Sequence, residues 1–95
     1  MSENTVRIGQ LVFSIQGRDS GRFYLITGIE NETMVNVADG EERKLENPKR
    51  KNCKHLILFD AVAGYILEKV QIGKKVTNTD VRKELKSLVS QLPNR

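Results

Sequence analysis

Residues 11–29, LVFSIQGRDSGRFYLITGI, carry the clearest structural pattern in this chain. Two apolar segments, Leu11–Ile15 and Phe23–Ile29, flank the turn residues Gly17–Gly21. Glycine tolerates positive φ, and short polar side chains such as Asp19 bond nearby backbone amides or charged neighbours, so this composition is typical of a tight turn. The stretch therefore predicts a β-hairpin.

Both strands of this predicted hairpin are apolar on both faces. Along the first strand Val12 lies opposite Leu11 and Phe13, and in the second strand Tyr24 and Ile26 lie opposite their apolar neighbours. A small barrel can enclose only one of the two faces, so another part of the chain must cover the other face. We expect the last third of the chain to do this.

The remaining pattern predicts three more strands and two helices. Turn residues separate the predicted strands Met34–Val37, Glu42–Leu45 and Lys54–Phe59. After Phe59 an amphipathic helix is predicted, with Asp60 as its N-cap and Gly73 just beyond its end. A second helix is predicted to follow the cap-like sequence Thr77-Asn78-Thr79-Asp80 and to stop at Pro93.

These elements predict a mainly β domain with some α structure. We expect a small five-stranded barrel over residues 1–59 and, packed on it, a two-helix extension over residues 60–95. A chain of 95 residues with 38% hydrophobic residues suffices for one compact domain.

The positive charge of the chain is concentrated in one segment. The formal net charge is +4, but the window Arg43–His55 alone holds six Lys or Arg residues against Glu46, a net +5, so the rest sums to −1. Pro48 and two asparagines in this window predict a loop between the fourth and fifth strands. Such a loop is suited to a polyanion, although a merely solvated charged loop has the same composition.

The sequence offers little for catalysis or metal binding. Cys53 and His55 are the single residues of their types, too few for a structural zinc site or an intramolecular disulfide. They are close enough for a Cys-His dyad, but no nucleophile motif or orienting third group accompanies them. We expect no enzyme activity, catalytic residue, metal or cofactor. No apolar run long enough to span a membrane and no signal peptide is apparent, so we expect a cytoplasmic protein without a membrane partner.

A longer pattern overlaps the predicted hairpin: Gly9-x-x-Val12-x-Ser14-x-x-Gly17-Arg18-Asp19-x-Gly21-x-x-Tyr24-x-Ile26. It resembles the KOW motif of ribosomal large-subunit proteins and transcription elongation factors, which forms part of an SH3-like barrel. The stretch from Asp39 to Leu56 and the segment from Thr77 to Leu85 are similar to small bacterial KOW proteins, themselves similar to large-subunit ribosomal proteins of the L-fourteen-e type. Cys53 stands where those bacterial sequences often have proline.

The resemblance implies an RNA-binding, ribosome-associated or translation-related protein that contacts structured, ribosomal RNA through the hairpin turn and the basic loop. Ribosomal proteins are further expected partners, and a monomer is the expected state. The alternative is a protein-interaction module that docks on a ribosomal or transcription complex through the barrel or the C-terminal helices. The candidate RNA-binding residues are Arg18, Arg22, Arg43, Lys44, Lys49, Arg50, Lys51, Lys54 and His55.

Overall fold

The computed structural model describes residues 6–93, which form one antiparallel sheet and two helices. The sheet has the strand order β4-β3-β2-β1-β5. Neither helix within the described residues is long and apolar enough to cross a membrane. The strands are β1 (Gln10–Ser14), β2 (Phe23–Ile29), β3 (Met34–Ala38), β4 (Lys49–Asn52) and β5 (Leu56–Val62), and the helices are α1 (Gly64–Gln71) and α2 (Asn78–Ser90).

The predicted hairpin is confirmed. Strand β1 pairs with β2 in an antiparallel register that places Val12 opposite Tyr24 and Phe13 opposite Phe23. The turn between them depends on Gly17 and Gly21, which both adopt a φ of +92°. Residues that carry a Cβ rarely adopt this left-handed backbone conformation, so the two glycines allow the turn to form.

The sheet is strongly curled. Strands β4 and β5 lie at its opposite edges, and in a flat sheet of this order they would be about 19 Å apart at about 4.8 Å per neighbouring pair. Only the 3₁₀ turn Cys53–His55 joins them, and its residues advance about 2 Å each. The two edges must therefore approach each other at this turn. No β4–β5 pairing closes the sheet within residues 6–93, so the predicted barrel is not confirmed.

Each face of the sheet has its own apolar core. The buried residues of the inner cluster that the structure describes all lie on strands, namely Val12, Tyr24, Ile26, Val35, Val37 and Leu56. The outer cluster combines Leu11 and Leu25 of the sheet with Ala63, Ile66 of α1 and Val81 of α2. The two helices thus cover the second apolar face, as the two-faced pattern of β1 and β2 requires.

The predicted fourth strand and basic loop are wrong. Glu42–Leu45 belongs to an irregular connection, whereas Lys49–Asn52, predicted as loop, forms the edge strand β4 and pairs with β3. The Asp39 carboxylate accepts hydrogen bonds from the backbone amides of Glu41 (2.9 Å) and Arg43 (2.8 Å). These local bonds hold the chain in a turn here, and strand pairing starts only after Pro48.

The predicted start of the first helix is also wrong. Strand β5 continues past Asp60 to Val62, which pairs with Gln10, and the amide of Ala63 donates to the carbonyl of Gly9 at 2.8 Å. Helix α1 therefore begins at Gly64, and the expected boundary between residues 59 and 60 falls within a strand. In contrast, the start of α2 is confirmed, because Thr77 and Asp80 form a complete capping box.

The N-terminus of α2 docks tightly on the connection after β3. The Asn78 side chain accepts a hydrogen bond from the amide of Leu45 at 2.8 Å, and the Arg82 guanidinium donates to the carbonyl of Gly40 at 3.3 Å. Gly40 has a φ of +79°, and a Cβ built on it would overlap the carbonyl oxygen of Asn78 and lie 3.1 Å from the amide of Arg82. Only glycine fits at this contact.

We predict that Gly40→Ala destabilises the fold by more than about 1 kcal/mol, because the new methyl group meets both an unfavourable φ and immobile helix backbone. Gly64→Ala is the matched control, since a Cβ there meets nothing within 4 Å and alanine favours the helix. Urea denaturation monitored by circular dichroism measures both changes. Equal unfolding free energies for the two variants would contradict the docking described here.

Candidate nucleic-acid interface

The Asp19 carboxylate organises the β1–β2 turn from within. It accepts hydrogen bonds from the Ser14 hydroxyl at 3.1 Å and the Tyr24 hydroxyl at 3.2 Å, and it forms an ion pair with the Lys51 ammonium at 2.9 Å. Lys51 also donates to the carbonyl of Gln16 at 2.7 Å. Strand β4 is therefore bonded to the β1–β2 turn, although β3 and β2 separate it from β1 in the sheet.

Burial and hydrogen bonding set the ionisation of this network. Burial alone raises the pKa of Asp19, but the bonds from Lys51, Ser14 and Tyr24 outweigh it and hold the pKa below the ordinary value of 3.8. Burial and the adjacent Asp19 charge raise the pKa of Tyr24 to about 12. At neutral pH the carboxylate is therefore ionised, and the phenol keeps the proton that it donates.

A polar cleft of about 400 Å³ lies beside this network. Arg18 and Arg22 reach it from the β1–β2 turn, and Arg43 and Lys49 reach it from the connection before β4 and from β4 itself. The fold thus brings four of the nine predicted site residues together from two segments that are distant in sequence. The remaining lining residues are Asp19, Tyr24 and Glu42.

The four cations of the cleft are available to a ligand. Among residues 6–93, no carboxylate forms an ion pair with Arg18, Arg22, Arg43 or Lys49. Within the same residues, the single hydrogen bond from these side chains is a long one of 3.4 Å, from the Arg43 guanidinium to the carbonyl of Asn47. Among the described lining residues, two carboxylates accompany these four cations: Asp19, which is paired with Lys51, and Glu42.

The other five predicted residues lie outside the cleft. Lys51 is only 6% exposed and its ammonium is occupied by Asp19, so it presents no charge to a ligand. The Arg50 guanidinium bonds to Glu30 at 2.9 Å. Lys44 and Lys54 are exposed, whereas His55 is half-buried in the 3₁₀ turn.

Cys53 and His55 do fall in one short turn, but their surroundings favour packing. Cys53 is half-buried against the inner apolar cluster, and burial raises the pKa of its thiol, which disfavours the nucleophilic thiolate. Within residues 6–93 no group of three or more histidine, cysteine, aspartate or glutamate side chains is arranged to hold a metal ion.

The role of Asp19 differs from the sequence-based expectation. The sequence predicts that it bonds backbone amides of the turn or a charged neighbour, but its partners are the side chains of Ser14, Tyr24 and Lys51. The spacing Ser14-x₄-Asp19-x₄-Tyr24 within the quoted motif is the signal that reflects two of these bonds. No such spacing in the sequence indicates the bond to Lys51, because Lys51 lies 32 residues after Asp19.

We predict that Asp19→Asn lowers the free energy of unfolding at neutral pH by about 1–3 kcal/mol, because Lys51 loses a charged partner in a buried position. A carboxyl group whose pKa is lowered on folding adds stability above its unfolded pKa, here 3.8, and loses it as the pH falls through the folded value. The variant should therefore lose less stability on acidification than the wild type. Urea denaturation from neutral to acidic pH measures this.

Asp60→Asn is the control for this series, since Asp60 is fully exposed and its bond to Arg7 is 3.3 Å long. It should unfold with nearly the wild-type pH profile, because exposed ion pairs contribute little. Asp80, whose pKa is lowered by its bond from Lys69, leaves some acid dependence in every variant. If Asp19→Asn and the wild type lost stability in parallel on acidification, the role assigned to Asp19 would be refuted.

Comparison with known proteins identifies a relative. No protein-family model matches the chain. A curated protein of Bacillus subtilis (strain 168), described as "Putative ribosome-binding protein YbzG", is 35% identical over 71 residues. The match covers 75% of this chain and 96% of the length of the relative, so it takes in nearly all of that protein. At this identity and coverage, the chain belongs to the YbzG family.

Proposed function

We propose that this protein is a non-catalytic RNA-binding protein that associates with the ribosome in the cytoplasm. The observation that carries the proposal is the convergence of Arg18, Arg22, Arg43 and Lys49 on one cleft. The description of the Bacillus subtilis relative as ribosome-binding supports the partner. A cluster of unpaired cations is the usual footprint of a nucleic-acid site.

The chemistry of the cleft fits the phosphate backbone of a folded RNA. Three arginines offer planar donor groups that bond phosphate oxygens in pairs, and Lys49 adds a mobile point charge. The described lining of the cleft has no exposed aromatic platform, because its aromatic residue, Tyr24, is only 3% exposed. Binding would therefore depend on backbone position and RNA shape, with little stacking on unpaired bases.

We further propose that the fold is an SH3-like barrel of the KOW type. The curled sheet and the glycine turn support this assignment. So does the bonding of Ser14, Asp19 and Tyr24, three residues of the KOW-like pattern, because it gives their spacing a structural reason. In this proposal the motif serves to fix the turn that carries Arg18 and Arg22.

We predict that Arg22→Ala combined with Lys49→Ala weakens binding to purified ribosomal RNA and flattens its salt dependence. Each lost phosphate contact should reduce the slope of log affinity against log salt by about 0.7–0.9, so the double variant should lose roughly 1.5. Nitrocellulose filter binding at a series of salt concentrations measures both quantities.

Lys83→Ala combined with Lys86→Ala is the matched control, since it removes the same charge from exposed positions of α2 outside the cleft. It should keep the wild-type slope. If both double variants lost affinity equally, binding would follow net charge alone and the cleft would have no special role. An unchanged slope in Arg22→Ala/Lys49→Ala would also refute the proposal.

A further inference from the structure

A second depression lies on the other side of the connection that borders the basic cleft. Glu42 and Arg43 line the cleft, whereas Asp39 and Glu41 line this groove, whose opposite wall is α2. The groove has a volume of about 760 Å³. Its floor consists of Phe23, Leu85 and Val89, all half-buried. It is therefore a largely apolar site, distinct in its chemistry from the cleft.

The apolar floor continues beyond the groove. The Phe13 ring packs against Phe23 with 4.8 Å between centroids, and Phe13 pairs across the strands with Ile57. Ile57 is 45% exposed, and Ile15, the residue directly after β1, is 44% exposed. An apolar strip thus runs from β5 across β1 and β2 to the wall of α2. Phe13 and Phe23 are half-buried, so the exposed part of this strip is at Ile15 and Ile57. Apolar surface of this kind is typical of an interaction site.

The charges left free along the groove are mostly positive. Asp39 is occupied by the amides of Glu41 and Arg43, and Arg82 donates to the carbonyl of Gly40. Lys83 and Lys86 are exposed and form no ion pair with any carboxylate of residues 6–93. The described lining of the groove thus holds three cations, Arg82, Lys83 and Lys86, against two carboxylates, Asp39 and Glu41.

The apolar and basic residues of α2 along the groove are spaced so that a second helix could pack against them. Leu85 and Val89 are four residues apart on α2 and form an apolar row, and Lys83 and Lys86 are three apart beside it. An amphipathic helix with apolar residues at the same intervals and acidic residues next to them would satisfy both rows. A second copy of this chain fits poorly, because α2 against α2 would place the lysines of both copies face to face.

We propose that this groove binds an amphipathic, acidic helix of another protein, with its apolar row on Phe23, Leu85 and Val89 and its carboxylates toward Lys83 and Lys86. The surface is separate from the basic cleft, so the proposal does not depend on RNA binding. It would allow the chain to contact a protein and an RNA at the same time.

Two synthetic helical peptides test this proposal directly. They share one row of leucines, and the neighbouring positions carry glutamate in one peptide and lysine in the other. In ¹H–¹⁵N NMR titrations of the full chain, the glutamate peptide should change the backbone amide chemical shifts of Phe23, Leu85 and Val89. Two exposed charge pairs should make it bind about threefold to tenfold more tightly than the lysine peptide.

Lys83→Glu combined with Lys86→Glu should reverse the preference between the two peptides while leaving the affinity for ribosomal RNA within the wild-type range. Failure of the RNA proposal would instead appear in the filter-binding series and leave these titrations unaffected. The proposal is overturned if neither peptide shifts the groove amides, or if both bind equally well. It is also overturned if sedimentation shows that the free chain dimerises through the groove.

Discussion

The ion pair between Asp19 and Lys51 is the contact on which the arrangement of the site depends. It joins the β1–β2 turn to β4, and it is nearly buried, with Asp19 14% and Lys51 6% exposed. Removing two charges from water is costly, so such a pair is stable only when further hydrogen bonds satisfy it. Ser14, Tyr24 and the carbonyl of Gln16 provide them. Because Arg18 and Arg22 flank Asp19, and Lys49 lies two residues from Lys51, the same contact brings the cations of the cleft together.

The curled, two-faced sheet explains why a chain of this size has two different surfaces. The buried side chains on its inner face come from the strands, and both helices pack on its outer face. The connection between β3 and β4 runs between the two surfaces. Its acidic turn at Asp39 lies against α2, because Gly40 packs on the backbone of that helix. One side of this connection borders the basic cleft and the other borders the apolar groove. A polyanion and a protein segment would thus approach different sides of the same connection.

Local signals in the sequence were sufficient where local bonds determine the structure. The bounds of β2, the two glycines of the turn and the capping box of α2 were predicted because each depends on neighbouring residues. Strand β4 was missed because Lys49-Arg50-Lys51-Asn52 lacks apolar alternation, and its pairing with β3 and the bond to Asp19 stabilise it from afar. For the same reason, a count of charges identifies the basic segment but does not show which of its side chains are exposed and which are buried. The predicted set therefore included the buried Lys51 together with the available Lys49. It also included the four residues that the fold brings to the cleft, Arg18, Arg22, Arg43 and Lys49.

The central claim is that one cleft, built from two distant segments, contacts the RNA. The most direct measurement is the change in backbone amide chemical shifts when a structured fragment of ribosomal RNA is added to the isotopically labelled chain. The account predicts that residues 18–22 and residues 43–49 shift together and saturate at the same RNA concentration, while the amides around Lys54 and Lys83 change little. Shifts confined to one of the two segments, or centred on Arg50 and Lys54 at the other edge of the basic region, would contradict it.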